Sequence, residues 1–200
     1  MQLDHILNGI AELGERPPLS DWQPEPSGEM DLVIARDGRW IHEGSPIQRP
    51  ELMRLFARIL RREDDGHHYL VTPIEKWRIS VEDTAFVVLE AEQADARLEG
   101  QSKGQPEDQP EDHVDKRWWL TTNVGERIAL GQQHRLSLST TPAGEEVPQV
   151  CLPYGVSARL GRNVFYRLVE QAEACTERGE LGLTSDGVWQ PLGRLEGDAH

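Results

Sequence analysis

Apolar positions spaced by three and four open the chain: Leu3, Ile6, Leu7, Ile10 and Leu13 share one face, which predicts a short amphipathic helix closed by Pro17 and Pro18. The stretch PPLSDWQPEPS that follows has no period, and its prolines predict an extended segment over the surface, pinned by Trp22. In DLVIARDGRWIHEG two runs of extended-type residues flank Asp37-Gly38, which predicts a hairpin closed by a type I′ turn. Helical spacing returns in SPIQRPELMRLFARILRRED, where Leu52, Leu55, Phe56, Ile59 and Leu60 form a stripe. Pro50 suits the first turn of that helix, which is expected to end near Asp65-Gly66. From Tyr69 the chain turns at Thr72-Pro73 into an alternating strand carrying Trp77, Ile79 and Val81, and AFVVLEAE is a further strand candidate.

Residues 93–117 break these patterns. They hold a tandem QPED and almost nothing apolar, so ordering them has little burial to offset it, and they are expected to form an acidic flexible connector. Strand patterns resume from Trp118 in WWLTT, RIAL, HRLSLST and VPQVCLPY, then a second helix is expected in RNVFYRLVEQAEACTER and a closing hairpin around Asp186-Gly187. Sliding the chain over itself by 113 residues aligns the two helices without a gap and superposes Arg49 on Arg162, Arg54 on Arg167, Leu55 on Leu168, Gly66 on Gly179 and Leu70 on Leu183. Each helix ends at a glycine and leads into a hairpin. The expected architecture is therefore α+β: two related modules, each an antiparallel β-sheet packed with one helix, arisen by internal duplication. The expected division is an N-terminal helix and extended segment at 1–28, a first module at 29–92, the connector at 93–117 and a second module at 118–195. A chance register between two common helix-then-hairpin units is the alternative.

Length and charge narrow the function. Two hundred residues can bury a core without disulfide or metal staples, and 35 acidic against 21 basic residues repel phosphate backbones and anionic membrane surfaces alike. Neither bulk nucleic acid nor a membrane is an expected partner. The N-terminal pattern lacks a basic start followed by an unbroken apolar run, and no stretch approaches a membrane span, so a cytoplasmic protein is expected. Cys151 and Cys175 are expected as reduced, half-buried thiols, and two cysteines alone build no zinc site. The seven histidines show no HExxH spacing, and no G-x-S-x-G, G-x-x-x-x-G-K-[ST] or G-x-G-x-x-G motif is present. No catalytic residues, metal or cofactor are expected, and the protein reads as non-enzymatic.

One feature runs against the global charge. Five arginines fall within Arg49–Arg62, and on a helix Arg54, Arg58 and Arg61 would share a side, so a small anion could bind locally; a solvated face paired with Glu51, Glu63 and Asp64 is the plainer reading. Arg49 and Arg162 each stand at the residue leading into a helix, where unsatisfied N–H groups favour an anion. If the modules face one another, both would flank one interdomain cleft; otherwise each tethers its own loop. His42-Glu43 lie on a strand and point to opposite faces, which argues against an acid/base pair. Glu75-Lys76 sit at or beyond a hairpin tip. The six tryptophans are expected to fill the cores, with Trp40 or Trp77 able to stack on a base.

The segments DGRWIHEGSPIQRPELMRLFARILRRED, YLVTPIEK and VED, the element Thr122-Asn123-Val124 and the helix from Val164 to Val169 resemble a bacterial family known as domain of unknown function 1285, from about Asp21 to Leu192. The connector is longer and more acidic than that pattern, and PYGVSARLGR is shorter. The resemblance implies a two-domain α+β protein built by duplication, a C-terminal half similar to pleckstrin-homology-like folds, and an interdomain site for a nucleotide-derived ligand in signal transduction, with no catalytic activity. The ligand-binding set expected from both readings is Arg36, Trp40, His42, Arg49, Thr72, Glu75, Lys76, Asn123, Tyr154 and Arg162. A protein-interaction adaptor, docking a signalling partner on a sheet edge or on the C-terminal half, is the second expectation.

Overall fold

The computed structural model describes residues 17–95, 116–140 and 144–195, so the helix expected at Leu3–Leu13 and the QPED repeat lie outside the described residues. The chain divides into two units: Met1–Phe86 with Leu152–Ser157, and Val87–Cys151 with Ala158–His200.

In the first unit, strands β1 (Pro26–Ile34), β2 (Trp40–His42) and β3 (Ser45–Pro46) precede helix α1 (Pro50–Arg58) and strands β4 (Leu60–Arg62), β5 (His68–Val71) and β6 (Lys76–Val81). They form one sheet in the order β3-β2-β1-β6-β5-β4. Every neighbouring pair is antiparallel, as expected, except the central one, where β1 runs parallel to β6. The core gathers Leu32, Ile34, Trp40, Phe56, Ile59 and Leu70, all buried.

Two local expectations change. Helix α1 stops at Arg58 rather than near Asp65-Gly66, because Ile59 leaves helical geometry and its carbonyl accepts the Val71 amide at 2.9 Å, so that Leu60–Arg62 pair with β5 as a strand. The apolar stripe thus continues across a change of secondary structure, an instance of tertiary pairing overriding helical periodicity. At Asp37-Gly38 only the glycine has positive φ, +85°, and its amide donates to Ala35 O while the Asp37 carboxylate accepts the Arg39 amide at 3.1 Å. That is a type I turn closed by a left-handed glycine, not a type I′ turn. True I′ geometry, positive φ at both central residues, occurs at Glu43-Gly44 and at Asp186-Gly187.

The second unit contains strands β7 (Phe86–Asp95), β8 (Lys116–Thr122), β9 (Arg127–Ala129), β10 (Leu136–Thr140), β11 (Glu146–Cys151) and β12 (Ser157–Leu160), helix α2 (Arg162–Val169), and strands β13 (Glu173–Cys175), β14 (Glu180–Ser185) and β15 (Val188–Arg194). One sheet has the order β10-β11-β12-β7-β8-β9, and β13-β14-β15 form another. Nearly all of β7, placed in the first module from the sequence, belongs to this unit. It pairs with β8 out to Asp95↔Lys116, so both ends of the expected connector are strand.

The duplication survives at the level of pairing. A shift of 113 residues carries β4 onto β13, and the pairs Tyr69↔Arg78, Leu70↔Trp77 and Val71↔Lys76 onto Gly182↔Pro191, Leu183↔Gln190 and Thr184↔Trp189. Chance similarity between two helices gives no reason for the following hairpins to keep register residue by residue.

Candidate functional site

Both helix starts present arginine, one residue out of step. Arg49 is the exposed, extended residue before α1, its carbonyl accepting the Leu52 and Met53 amides, whereas Arg162 is the first residue of α2 and follows Gly161. Neither cap offers a side-chain acceptor; in α1, where Pro50 has no N–H and the Leu52 and Met53 amides are taken by Arg49 O, the Glu51 amide is the leading donor left for an outside anion, while the first N–H groups of α2 have no side-chain cap.

The strongest electrostatic feature of the first unit lies elsewhere, on one face of its sheet. Arg61, Tyr69, Arg78 and Glu29 stand opposite one another across β4, β5, β6 and β1. Arg61 was expected on the helix beside Arg54 and Arg58; because the helix ends first, it sits in β4 and is only 8% exposed. Its Nη1 donates to the carbonyls of Leu19 at 2.8 Å and Trp22 at 2.9 Å, and its Nη2 to Glu63 Oε1. Lys76, a residue singled out from the sequence, holds the same Glu63 at 3.0 and 3.2 Å and lies 5.1 Å from the Tyr69 ring centre. Burial raises the Glu63 pKa, but hydrogen bonds from Lys76 and Arg61 outweigh it and hold the carboxyl below its ordinary value. Tyr69 donates to Asp65 Oδ2 at 2.6 Å; that bond, aided by burial, pushes the phenol up to about 12 and lowers Asp65. Sequence reasoning named Glu63 as a partner of the arginines but placed the pairing on a solvated helix face, and it did not single out Tyr69 for the site, because alternation across three strands, not spacing along one, brings them together.

Adjacent His68 points the other way: burial first, then Arg62 and His67, push it down to about 4. The folded imidazole refuses a proton that the unfolded one takes below about pH 6.5, so its contribution is complete above that pH and lost as pH falls toward 4. Denaturation followed from pH 7 to 4.5 is expected to show a loss on the order of 1–2 kcal/mol, discounted for partial exposure, that disappears in His68→Gln. An unchanged slope in the variant contradicts this.

The other expected site residues separate into structural and open positions. Trp40 is 0% exposed and stacked on Phe56, so neither ring face is available to a base. Buried Thr72 closes the β5–β6 turn: its Oγ1 accepts the Glu75 amide at 3.0 Å, its amide donates to Glu75 O, and Glu75 Oε2 meets Trp77 Nε1 at 3.5 Å. Asn123 clasps Val87, accepting its amide on Oδ1 at 3.0 Å and donating its own amide to Val87 O at 2.8 Å. Arg36 is exposed in the β1–β2 turn, its amide on Glu82, and half-buried His42 ends β2 beside Glu43, which lies in the turn rather than on the strand. Tyr154 adopts left-handed geometry, φ +60° and ψ +30°, and its hydroxyl reaches Pro17 O at 3.5 Å. Thr72, Glu75 and Lys76, from the expected ten, are neighbours in one local assembly at the β5–β6 turn.

Among the described residues no group of three or more His, Cys, Asp or Glu could hold a metal, and no helix is long and apolar enough to cross a membrane. Both cysteines are free, and Cys151 is exposed rather than half-buried.

Comparison with known proteins accords with this layout. Residues 17–84 match a family model described as "Domain of unknown function (DUF1285), N-terminal domain", and residues 108–192 match "Protein of unknown function (DUF1285), C-terminal domain". The chain is similar to a DUF1285 family protein from Silicibacter pomeroyi DSS-3, with 35% identity, 96% of each chain covered and a TM-score of 0.76. Its fold is also similar to that of a DUF1285 family protein from Shewanella baltica OS155, at 22% identity and a TM-score of 0.51, covering 71% of this chain and 92% of the other. No curated protein matches the chain.

Proposed function

Because the chain belongs to the DUF1285 family, whose description assigns no activity, we propose a function from its own residues: non-enzymatic binding of a small phosphate-bearing, nucleotide-derived ligand in signal transduction. The observation that carries this reading is the duplicated helix start, where exposed Arg49 stands beside the uncapped Glu51 amide and exposed Arg162 stands at the start of α2, which has no side-chain cap. A phosphate can accept from such amides and from a guanidinium together. The polar chemistry supports binding over turnover. Glu63 is neutralised by two cations, the Tyr69 proton is held by Asp65, and His68 is pushed well below neutral pH, so none is tuned as an acid or base near pH 7.

Thermal denaturation with nucleotides and dinucleotide second messengers tests it. A ligand at a hundred times its Kd adds about 2.7 kcal/mol, an upward Tm shift of roughly 5–10 °C for a chain of this size. The shift is expected to vanish in Arg49→Ala or Arg162→Ala, and loss in one variant alone assigns the ligand to that unit. No shift at millimolar concentration with any of them removes the reading.

A protein-interaction adaptor is the second reading. It is favoured by Leu89, which is 57% exposed in mid-strand at a register shift of β7, and it predicts no nucleotide shift at all.

A further inference from the structure

We propose that Pro17–Trp22 is a releasable strap over the sheet of the first unit, and that the phosphate-bearing ligand competes with it for Arg61. The inference rests on the preceding reading and adds a binding residue and a gate to it. The strap is a single 3-10 turn, Leu19–Asp21, with no side-chain cap. Its own bonds are short-range: Leu19 N to Pro17 O at 2.9 Å, Asp21 N to Pro18 O at 3.0 Å and Trp22 N to Leu19 O at 3.4 Å. It contributes no strand to the sheet, whose ladder is complete without it. Pro17 and Leu19 are its buried side chains, and among the described residues its polar ties to the rest of the unit are the Arg61 fork, the long contact from Tyr154 to Pro17 O and a 3.4 Å bond from the adjacent Gln23 side chain to Ser20 O.

Arg61 is built as a donor with unused capacity. Its Nη1 spends two bonds on neutral carbonyls, while its Nε is buried with no partner at all. Glu63 is one carboxylate shared between Arg61 and Lys76, so Arg61 does not hold that negative charge alone. A phosphate presents two charged oxygens at a spacing suited to a guanidinium fork, and it outcompetes two uncharged carbonyls for the same hydrogens. Lifting the strap frees Nη1, gives Nε a partner and adds the second cation at Lys76. A buried donor without an acceptor is costly, and a ligand that satisfies it recovers that cost.

Hydrogen exchange on the full chain, with and without millimolar pyrophosphate at constant ionic strength, tests the competition. Exchange at the amides of Leu19, Asp21 and Trp22 is expected to rise about tenfold with pyrophosphate while Leu70 and Val71 in β5 stay unchanged. Arg61→Lys keeps the charge and loses the fork, so its strap exchanges fast already and pyrophosphate adds nothing. Leu19→Ala loosens the strap without touching Arg61 and is expected to tighten pyrophosphate binding several-fold, an outcome that a merely structural leucine does not produce. Unchanged strap exchange with pyrophosphate in the wild-type chain, or one common rate for strap and β5 amides, overturns the proposal. A thermal shift that depends on Arg49 or Arg162 while the strap stays closed overturns this inference alone and leaves the ligand reading standing.

Discussion

Replacing Trp40 with alanine is expected to remove about 3–5 kcal/mol of stability, lowering the denaturant midpoint with little change in slope. The indole is 0% exposed in β2, opposite Ile34, and its ring lies 6.1 Å from that of Phe56 at an interplanar angle of 18°. Both partners are themselves fully buried, so truncation leaves a cavity walled by side chains already locked by the sheet and by α1. Trp40→Phe refines the argument. The indole Nε1 is buried without an acceptor, so phenylalanine deletes an unsatisfied donor while keeping most of the ring, and a loss below about 2 kcal/mol is expected. The same variant separates packing from recognition, since a base-stacking tryptophan would lose ligand response in Trp40→Phe, whereas a core tryptophan keeps it. Wild-type stability in Trp40→Ala together with a lost ligand response would sink the core assignment.

Trp40 also shows where sequence reasoning reached and where it stopped. The sequence placed it with the other tryptophans in a core and left base stacking open, and only the pairing of β2 with β1 and the approach of Phe56 show that no ring face remains open. Strands whose partners lie close in sequence were legible: the β5–β6 and β14–β15 hairpins follow from their turn residues, and the 113-residue register between them is visible in the letters themselves. The parallel β1–β6 pair was not, because nothing local records which distant strand fills the centre of a sheet. Arg61 failed for a related reason. Its helical spacing from Arg54 and Arg58 is real, yet Ile59 ends the helix, and the partners of the guanidinium come from Leu19 and Trp22, some forty residues away. A charge run read along one element therefore looked like a solvated face, while one of its members is the buried centre of a network.

Gly161→Ala is expected to be damaging in the second unit for lack of space and not for backbone freedom. Gly161 has φ −65° and ψ 152°, which any residue adopts, but an added Cβ would lie 2.6 Å from Val88 O, the atom that accepts the Gly161 amide at 2.9 Å. Val88 cannot give way easily: it is 0% exposed, and the preceding Val87 is held at both its amide and its carbonyl by Asn123. The helix start must move instead, at a cost of about 1–3 kcal/mol, with Gly193→Ala as the control, since nothing lies within 4 Å of a Cβ there. Because Gly161 directly precedes Arg162, displacing it also displaces the first N–H groups of α2 and the guanidinium beside them. Gly161→Ala is thus expected to lose stability and ligand response together, and Arg162→Ala to lose the response with stability within about 0.5 kcal/mol of wild type. Full ligand response in a destabilised Gly161→Ala protein would mean that the start of α2 does not hold the ligand, and would leave Arg49 as the sole helix start to carry it.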